Sequence, residues 1–173
     1  ENLQCLKSLS AHFAKNCVRT LDRGFDANDY YRYFLKNDEK FVIRSKKNRN
    51  VIYNGKTQNI MDVAGNYKGN YRMDFKDKHG KKIECKISYI PVQLCEFPNK
   101  TLVLVAVYGF GAQPMLLLTN LDLSEKKKLC MIATKVYLMR WRIEECSKRI
   151  FDVPKFIFYG LGYAIERVLA RTH

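Results

Sequence analysis

The sequence of 173 residues lacks any close group of cysteines and histidines. Its six cysteines are irregularly spaced with no Cys-x-x-Cys pair, and its three histidines are far apart. Zinc sites and disulfide frameworks use close, regular spacings of these residues. We therefore expect reduced thiols in a cytoplasmic protein, and little supports a histidine-based metal site or a Ser-His-Asp arrangement.

Charged residues are missing from residues 101–121, a stretch long enough to be considered as a membrane helix. Gly109, Gly111 and Pro114 interrupt it, and residues 102–107 are rich in β-branched side chains. Two strands joined by a turn fit better than a helix, so we expect no membrane span. The amino terminus also lacks a basic region followed by an apolar core, so it does not read as a secretory signal.

Acidic residues are outnumbered, with 17 Asp and Glu against 31 Lys and Arg, which gives a formal charge of +14. Such a surface favours a polyanionic partner, and nucleic acid is the commonest one. A generally basic, solvated surface is the alternative, because charge alone identifies no partner. The length and composition indicate one folded domain, or one domain with a small inserted module.

The first part of the chain alternates between helix and strand patterns. Residues 2–15 have apolar positions at helical spacing, and residues 17–21 are a strand that ends directly before Asp22. A second helix over residues 28–37 precedes a short strand, Lys40–Arg44. This alternation predicts the α/β class with a layered sheet.

Residues 45–120 change to short β-type runs separated by turns, which predicts a β-rich module of hairpins inserted into the α/β fold. The predicted strands are Arg49–Tyr53, Tyr71–Lys76, Lys81–Pro91, Leu102–Tyr108 and Met115–Thr119. A long helix follows, with Ser124 as N-cap and Glu125 in its first turn. Its buried stripe is Leu129, Ile132, Val136, Met139 and Ile143. Pro154 either ends this helix or separates it from a last helix over residues 156–170.

Four polar side chains, Tyr137, Arg140, Glu144 and Lys148, share one face of that helix, because they are 3, 4 and 4 residues apart. Glu144 could bind a metal while Arg140 and Lys148 neutralise phosphates. The same spacing also describes an ordinary salt-bridge ladder. Asp22, equally, could simply be a turn former that bonds its own backbone.

Taken together, these segments resemble the DDE transposases of bacterial insertion sequences over about residues 15–150. The matching stretches are Leu21-Asp-Arg-Gly-Phe-Asp26, Lys40-Phe-Val-Ile-Arg44, Leu116-Leu-Leu-Thr-Asn120 and Tyr137-Leu-Met-Arg-Trp-Arg-Ile-Glu-Glu145. The resemblance implies a partial ribonuclease-H-like core, residues 1–44 and 121–173, interrupted by a β-rich insertion domain, residues 45–120.

The resemblance also implies roles for individual residues. Asp22 and Glu144 would be the metal-binding, catalytic carboxylates, with Mg²⁺ or Mn²⁺ as the ion. Glu145 is not chosen because it points about 100° away on a helix. The side chains expected to contact DNA are Tyr137, Arg140, Lys148 and Arg23.

The implied activity is metal-dependent phosphoryl transfer that cuts and joins insertion-sequence DNA ends. The partners would be transposon ends and target DNA, in a nucleoid-associated protein of the cytoplasm that is a homodimer when complete and DNA-bound. The family's first catalytic aspartate has no counterpart before Asp22, so we expect the isolated fragment to be weak or inactive. The alternatives are a non-catalytic basic DNA-binding module, which could be a decayed transposase relic, and a plain endonuclease that does not join strands.

Overall fold

The structure is a computed structural model that describes Gln4 and residues 17–76, 80 and 82–150, with the side chains of residues 141–150 excepted. The strands are β1 Val18–Leu21, β2 Lys40–Arg44, β3 Asn50–Tyr53, β4 Lys56–Asn59, β5 Tyr71–Lys76, β6 Lys82–Leu94, β7 Phe97–Tyr108 and β8 Met115–Thr119. The helices are α1 Asn28–Lys36, α2 Ile60–Gly65 and α3 Lys126–Ile150, with a 3-10 helix at Arg23–Phe25.

The described strands form one eight-stranded sheet in the order β1-β2-β8-β7-β6-β3-β4, with β5 also paired to β6. β1 and β2 are parallel, and the other pairings are antiparallel. The chain is therefore of mixed α and β type, as expected. The sheet runs continuously from the predicted core into the predicted insertion through the β2–β8 pair. The division into those two domains stays a prediction.

Apolar side chains cover both faces of the sheet, which explains why its central strands read as nearly continuous hydrophobic runs. On β2, Phe41 and Ile43 belong to the core cluster under α1 and α2, while Val42 belongs to the cluster under α3. All three side chains are fully buried. Each such burial contributes about 1.5–3 kcal/mol, so both layers of helix are held to the sheet by its two apolar faces.

Most predicted elements are confirmed, including both strands in the uncharged stretch, β7 and β8. None of the described helices is long and apolar enough to cross a membrane. β6 and β7 extend beyond the predicted bounds and meet at a tight turn, Cys95-Glu96. β4 and α2 were not predicted, because β4 is polar and the six residues of α2 are too few to show a helical period.

Helix α3 begins one residue later than expected. Its first residue is Lys126, and the carbonyl of Glu125 accepts a hydrogen bond from the Leu129 N–H. The assignment of Ser124 as N-cap and Glu125 to the first turn was therefore wrong by one residue. The predicted helices over 2–15, Gln4 apart, and 156–170 lie outside the described residues, as does Pro154.

Candidate metal and nucleic-acid site

Asp22 lies directly after β1, at the carboxyl end of the strand, as expected. Its carbonyl accepts a hydrogen bond from the Phe25 N–H at 2.9 Å, which closes the 3-10 turn. Leu21 pairs with Ile43 of the parallel neighbour β2, so the register sets Arg44 beside Asp22. Because the carboxyl ends of parallel strands share one edge of a sheet, both side chains are presented there.

Helix α3 brings Tyr137 and Arg140 to the Asp22 carboxylate. The Tyr137 hydroxyl donates to Asp22 Oδ1 at 3.0 Å, across 115 residues of sequence. Arg140 Nη2 lies 3.7 Å from Asp22 Oδ2, and its guanidinium stacks 5.4 Å from the centre of the Tyr137 ring. The two carboxylate oxygens of Asp22 thus have different neighbours, a phenol and a guanidinium.

The Tyr137 side chain is fully buried in the core cluster under α3. A buried phenol needs a hydrogen-bond partner, and Asp22 supplies the acceptor. In this structure Tyr137 therefore contacts the carboxylate rather than solvent. Its predicted contact with DNA remains a prediction, and the geometry gives it a more direct role in orienting Asp22.

The surroundings of Asp22 favour its ionised form. Burial acts to raise the pKa of the Asp22 carboxyl, but the Arg23 backbone N–H, Arg140, Tyr137 and Arg44 together outweigh burial and hold this pKa below its usual value. Burial, and then the Asp22 charge, raise the pKa of the Tyr137 phenol, so the hydroxyl keeps its proton and donates the hydrogen bond to Asp22.

Arg44 is a member of this group that sequence reasoning missed. Its positive charge helps to lower the pKa of Asp22 and opposes the rise in the pKa of Tyr137. The available signal was its place as the last residue of β2, since a strand parallel to β1 must end at the same edge. We call Asp22, Arg44, Tyr137 and Arg140 the Asp22 cluster.

The structure describes the other predicted site residues, Arg23, Glu144 and Lys148, in less detail. Arg23 is exposed next to Asp22. Residues 144 and 148 belong to the α3 backbone, with position 144 about 6 Å farther along the axis than Arg140. The side chains of Glu144 and Lys148 lie outside the described residues, so the Asp22–Glu144 metal pair stays a prediction.

The described donor set suits a divalent cation only in part. Among the side chains that the structure describes, no group of three or more His, Cys, Asp or Glu residues comes together. Asp22 alone fits one ligand position, because its carboxylate is ionised and its side chain is 45% exposed. Glu144 would have to supply a second ligand.

Replacing Tyr137 with phenylalanine is expected to raise the pKa of Asp22, because the carboxylate loses a hydrogen bond that favours its charged form. The lowered pKa of Asp22 in the folded state stabilises the fold above the ordinary carboxyl pKa, and this contribution is lost as the pH falls through the lowered value. The variant should therefore lose less stability on acidification. Carboxyl chemical shifts followed by NMR over pH test this, with Asp29 as internal control; an unchanged Asp22 titration would contradict it.

Comparison of the chain with protein-family models and with curated proteins finds no match.

Proposed function

We propose that this chain is part of the catalytic domain of a DDE-type transposase, with a ribonuclease-H-like core, that performs metal-dependent phosphoryl transfer on insertion-sequence DNA ends. The observation that carries the proposal is the contact of Tyr137 and Arg140 with Asp22. These residues come from the two segments most specific to the family resemblance. A folded arrangement that joins them supports a shared role at one site.

The residues of the proposed site divide into three groups with different tasks. Asp22 and Glu144 would hold Mg²⁺ or Mn²⁺, and the ion would activate the attacking oxygen and stabilise charge at the reacting phosphate. Tyr137, together with Arg44, orients the Asp22 carboxylate. Arg140, with Arg23 and Lys148, would bind the phosphates of the DNA strand.

Metal binding tests this proposal without requiring turnover by the isolated chain. We expect the chain to bind Mn²⁺, a paramagnetic substitute for Mg²⁺, and Asp22→Asn to weaken the affinity at least about 10-fold. Electron paramagnetic resonance of free Mn²⁺ provides the measurement. Asp29→Asn removes an exposed carboxylate of α1 and should leave the affinity unchanged. Equal Mn²⁺ affinity in the wild type and the Asp22 variant would refute the metal-binding role.

A non-catalytic DNA-binding module is the second candidate, and the Arg140–Asp22 ion pair favours it. An arginine that stays on Asp22 would oppose cation binding and leave the site a structural one. This candidate predicts salt-dependent DNA binding with no specific Mn²⁺ site. The proposed enzymatic function predicts salt-dependent DNA binding together with a specific Mn²⁺ site.

A further inference from the structure

The loop that follows β2, residues 45–49, presents two exposed cations near the Asp22 cluster. Lys46 and Lys47 are both exposed, and the Lys47 amino group contacts Gln113 Oε1. The loop leaves the sheet at the carboxyl end of β2, which is the edge that carries Asp22. We call Lys46 and Lys47 the basic loop.

A buried carboxylate fixes the backbone of this loop. Asp26 Oδ2 accepts from the Lys46 N–H at 2.6 Å and from the Ser45 hydroxyl at 3.1 Å. The other carboxylate oxygen, Asp26 Oδ1, lies 2.6 Å from Arg49 Nε. The Ser45 N–H also donates to the Leu116 carbonyl of β8 at 2.9 Å. Both ends of the loop are thus tied to the fold.

This arrangement leaves the positive charges of Lys46 and Lys47 exposed to solvent. The Asp26 side chain is fully buried and its charge is matched by Arg49, whose side chain is only 13% exposed. Neither lysine side chain takes part in that pair. Because the backbone of the loop is already held in place, binding an anion requires only the two exposed lysine side chains to become ordered.

The distance between the basic loop and Asp22 fits neighbouring phosphates of one DNA strand. Asp22 lies opposite Arg44 when the β1–β2 register is continued, and Lys46 follows two residues later. With strands about 4.8 Å apart and a rise of about 3.3 Å per residue, the Cα atoms of Asp22 and Lys46 are roughly 8 Å apart. The backbone winds round the helix axis, so successive phosphates of one strand lie farther apart than the axial rise of about 3.4 Å per nucleotide, and a separation of roughly 8 Å reaches the phosphates next to the one at the proposed site.

We infer that the basic loop binds the DNA backbone at the phosphates next to the reacting phosphate of the proposed site. The partner is a nucleic-acid strand recognised through its phosphates, not its bases. The inference rests on the proposed function for the identity of the strand at Asp22. Beyond the proposed function, the inference adds a DNA-contacting surface formed by the segment between β2 and β3.

The salt dependence of DNA binding tests the inference directly. For a short DNA duplex of random sequence, the Lys46→Gln/Lys47→Gln double variant should bind more weakly. Its plot of log affinity against log salt concentration should be less steep by about 1.8, or about 0.9 for each lost phosphate contact. Fluorescence anisotropy over a salt series gives both quantities.

The matched control removes the same amount of charge at the opposite ends of the strands, away from Asp22. Lys36 ends α1 and Lys100 lies near the amino end of β7, and both are exposed. Lys36→Gln/Lys100→Gln should leave the slope unchanged. A basic-loop variant with the wild-type slope, or a control variant with the same reduced slope, would overturn the inference while leaving the proposed function standing. Absence of salt-dependent DNA binding by the wild type would instead refute DNA as the partner, and with it the proposed function.

Discussion

Replacing Asp26 with asparagine is expected to lower the free energy of unfolding by about 3–5 kcal/mol, the usual loss when one partner of a buried ion pair is removed. The Asp26 side chain is fully buried beside Arg49 and also accepts from the Tyr31 hydroxyl at 2.7 Å. Asparagine keeps the shape but not the charge, so the Arg49 guanidinium would be left largely buried without its counterion. Urea unfolding followed by circular dichroism measures the change.

Two further variants separate this ion pair from a general effect of charge. Asp29→Asn removes an exposed carboxylate whose partner is Arg32, and it should change stability by less than about 0.5 kcal/mol. In Asp26→Asn/Arg49→Gln both charges are gone, so part of the lost stability should return. A loss below about 1 kcal/mol for Asp26→Asn, or a double variant no more stable than the single one, would contradict the role assigned to the pair.

Asp22 and Asp26 show where sequence reasoning reaches its limit. Both occur in Leu21-Asp-Arg-Gly-Phe-Asp26, and local pattern treats both as polar turn residues. The structure separates them: Asp22 is half-exposed against α3, whereas Asp26 is buried against Arg49. The difference depends on which distant segment packs on each carboxylate, and that information is not contained in the turn.

Tyr137 shows a limit of a different kind. Helical spacing placed it on a polar face with Arg140, and the structure does bring both residues to Asp22. Its burial was not predicted, although Cys130, Ala133 and Tyr137 are spaced 3 and 4 residues apart and all three are fully buried. The apolar stripe of α3 is wider than the one read from aliphatic residues alone, because a tyrosine counts as apolar once its hydroxyl has a partner.

The strands were predicted best where their neighbours on both faces are apolar. β2 and β8 are buried in the middle of the sheet, and their hydrophobic runs mark their bounds. β4, at the edge, is formed by pairing with β3 across the Asn54-Gly55 turn. Its polar sequence carries little strand signal, so only the turn could have indicated it.

Replacing Gly69 with alanine is expected to lower the free energy of unfolding by about 2–4 kcal/mol, from a strained backbone and an overpacked contact together. Gly69 has a φ of +83°. A Cβ there would overlap the Cβ of Lys86 and come within 2.9 Å of its carbonyl carbon. The Gly69 N–H also donates to the Ser88 hydroxyl at 3.1 Å, so the segment cannot move away from β6 without losing that bond.

Gly55→Ala is the matched control, because Gly55 has a similar φ of +74° but no atom within 4 Å of the added Cβ. It should cost only the conformational part, about 1–2 kcal/mol. The difference between the two variants, measured by urea unfolding, then isolates the close approach of Gly69 to β6. Equal losses would show that this approach relaxes at no cost. Since Gly69 contacts β6 rather than the Asp22 cluster, the alanine variant should keep the wild-type Mn²⁺ affinity at temperatures where it remains folded.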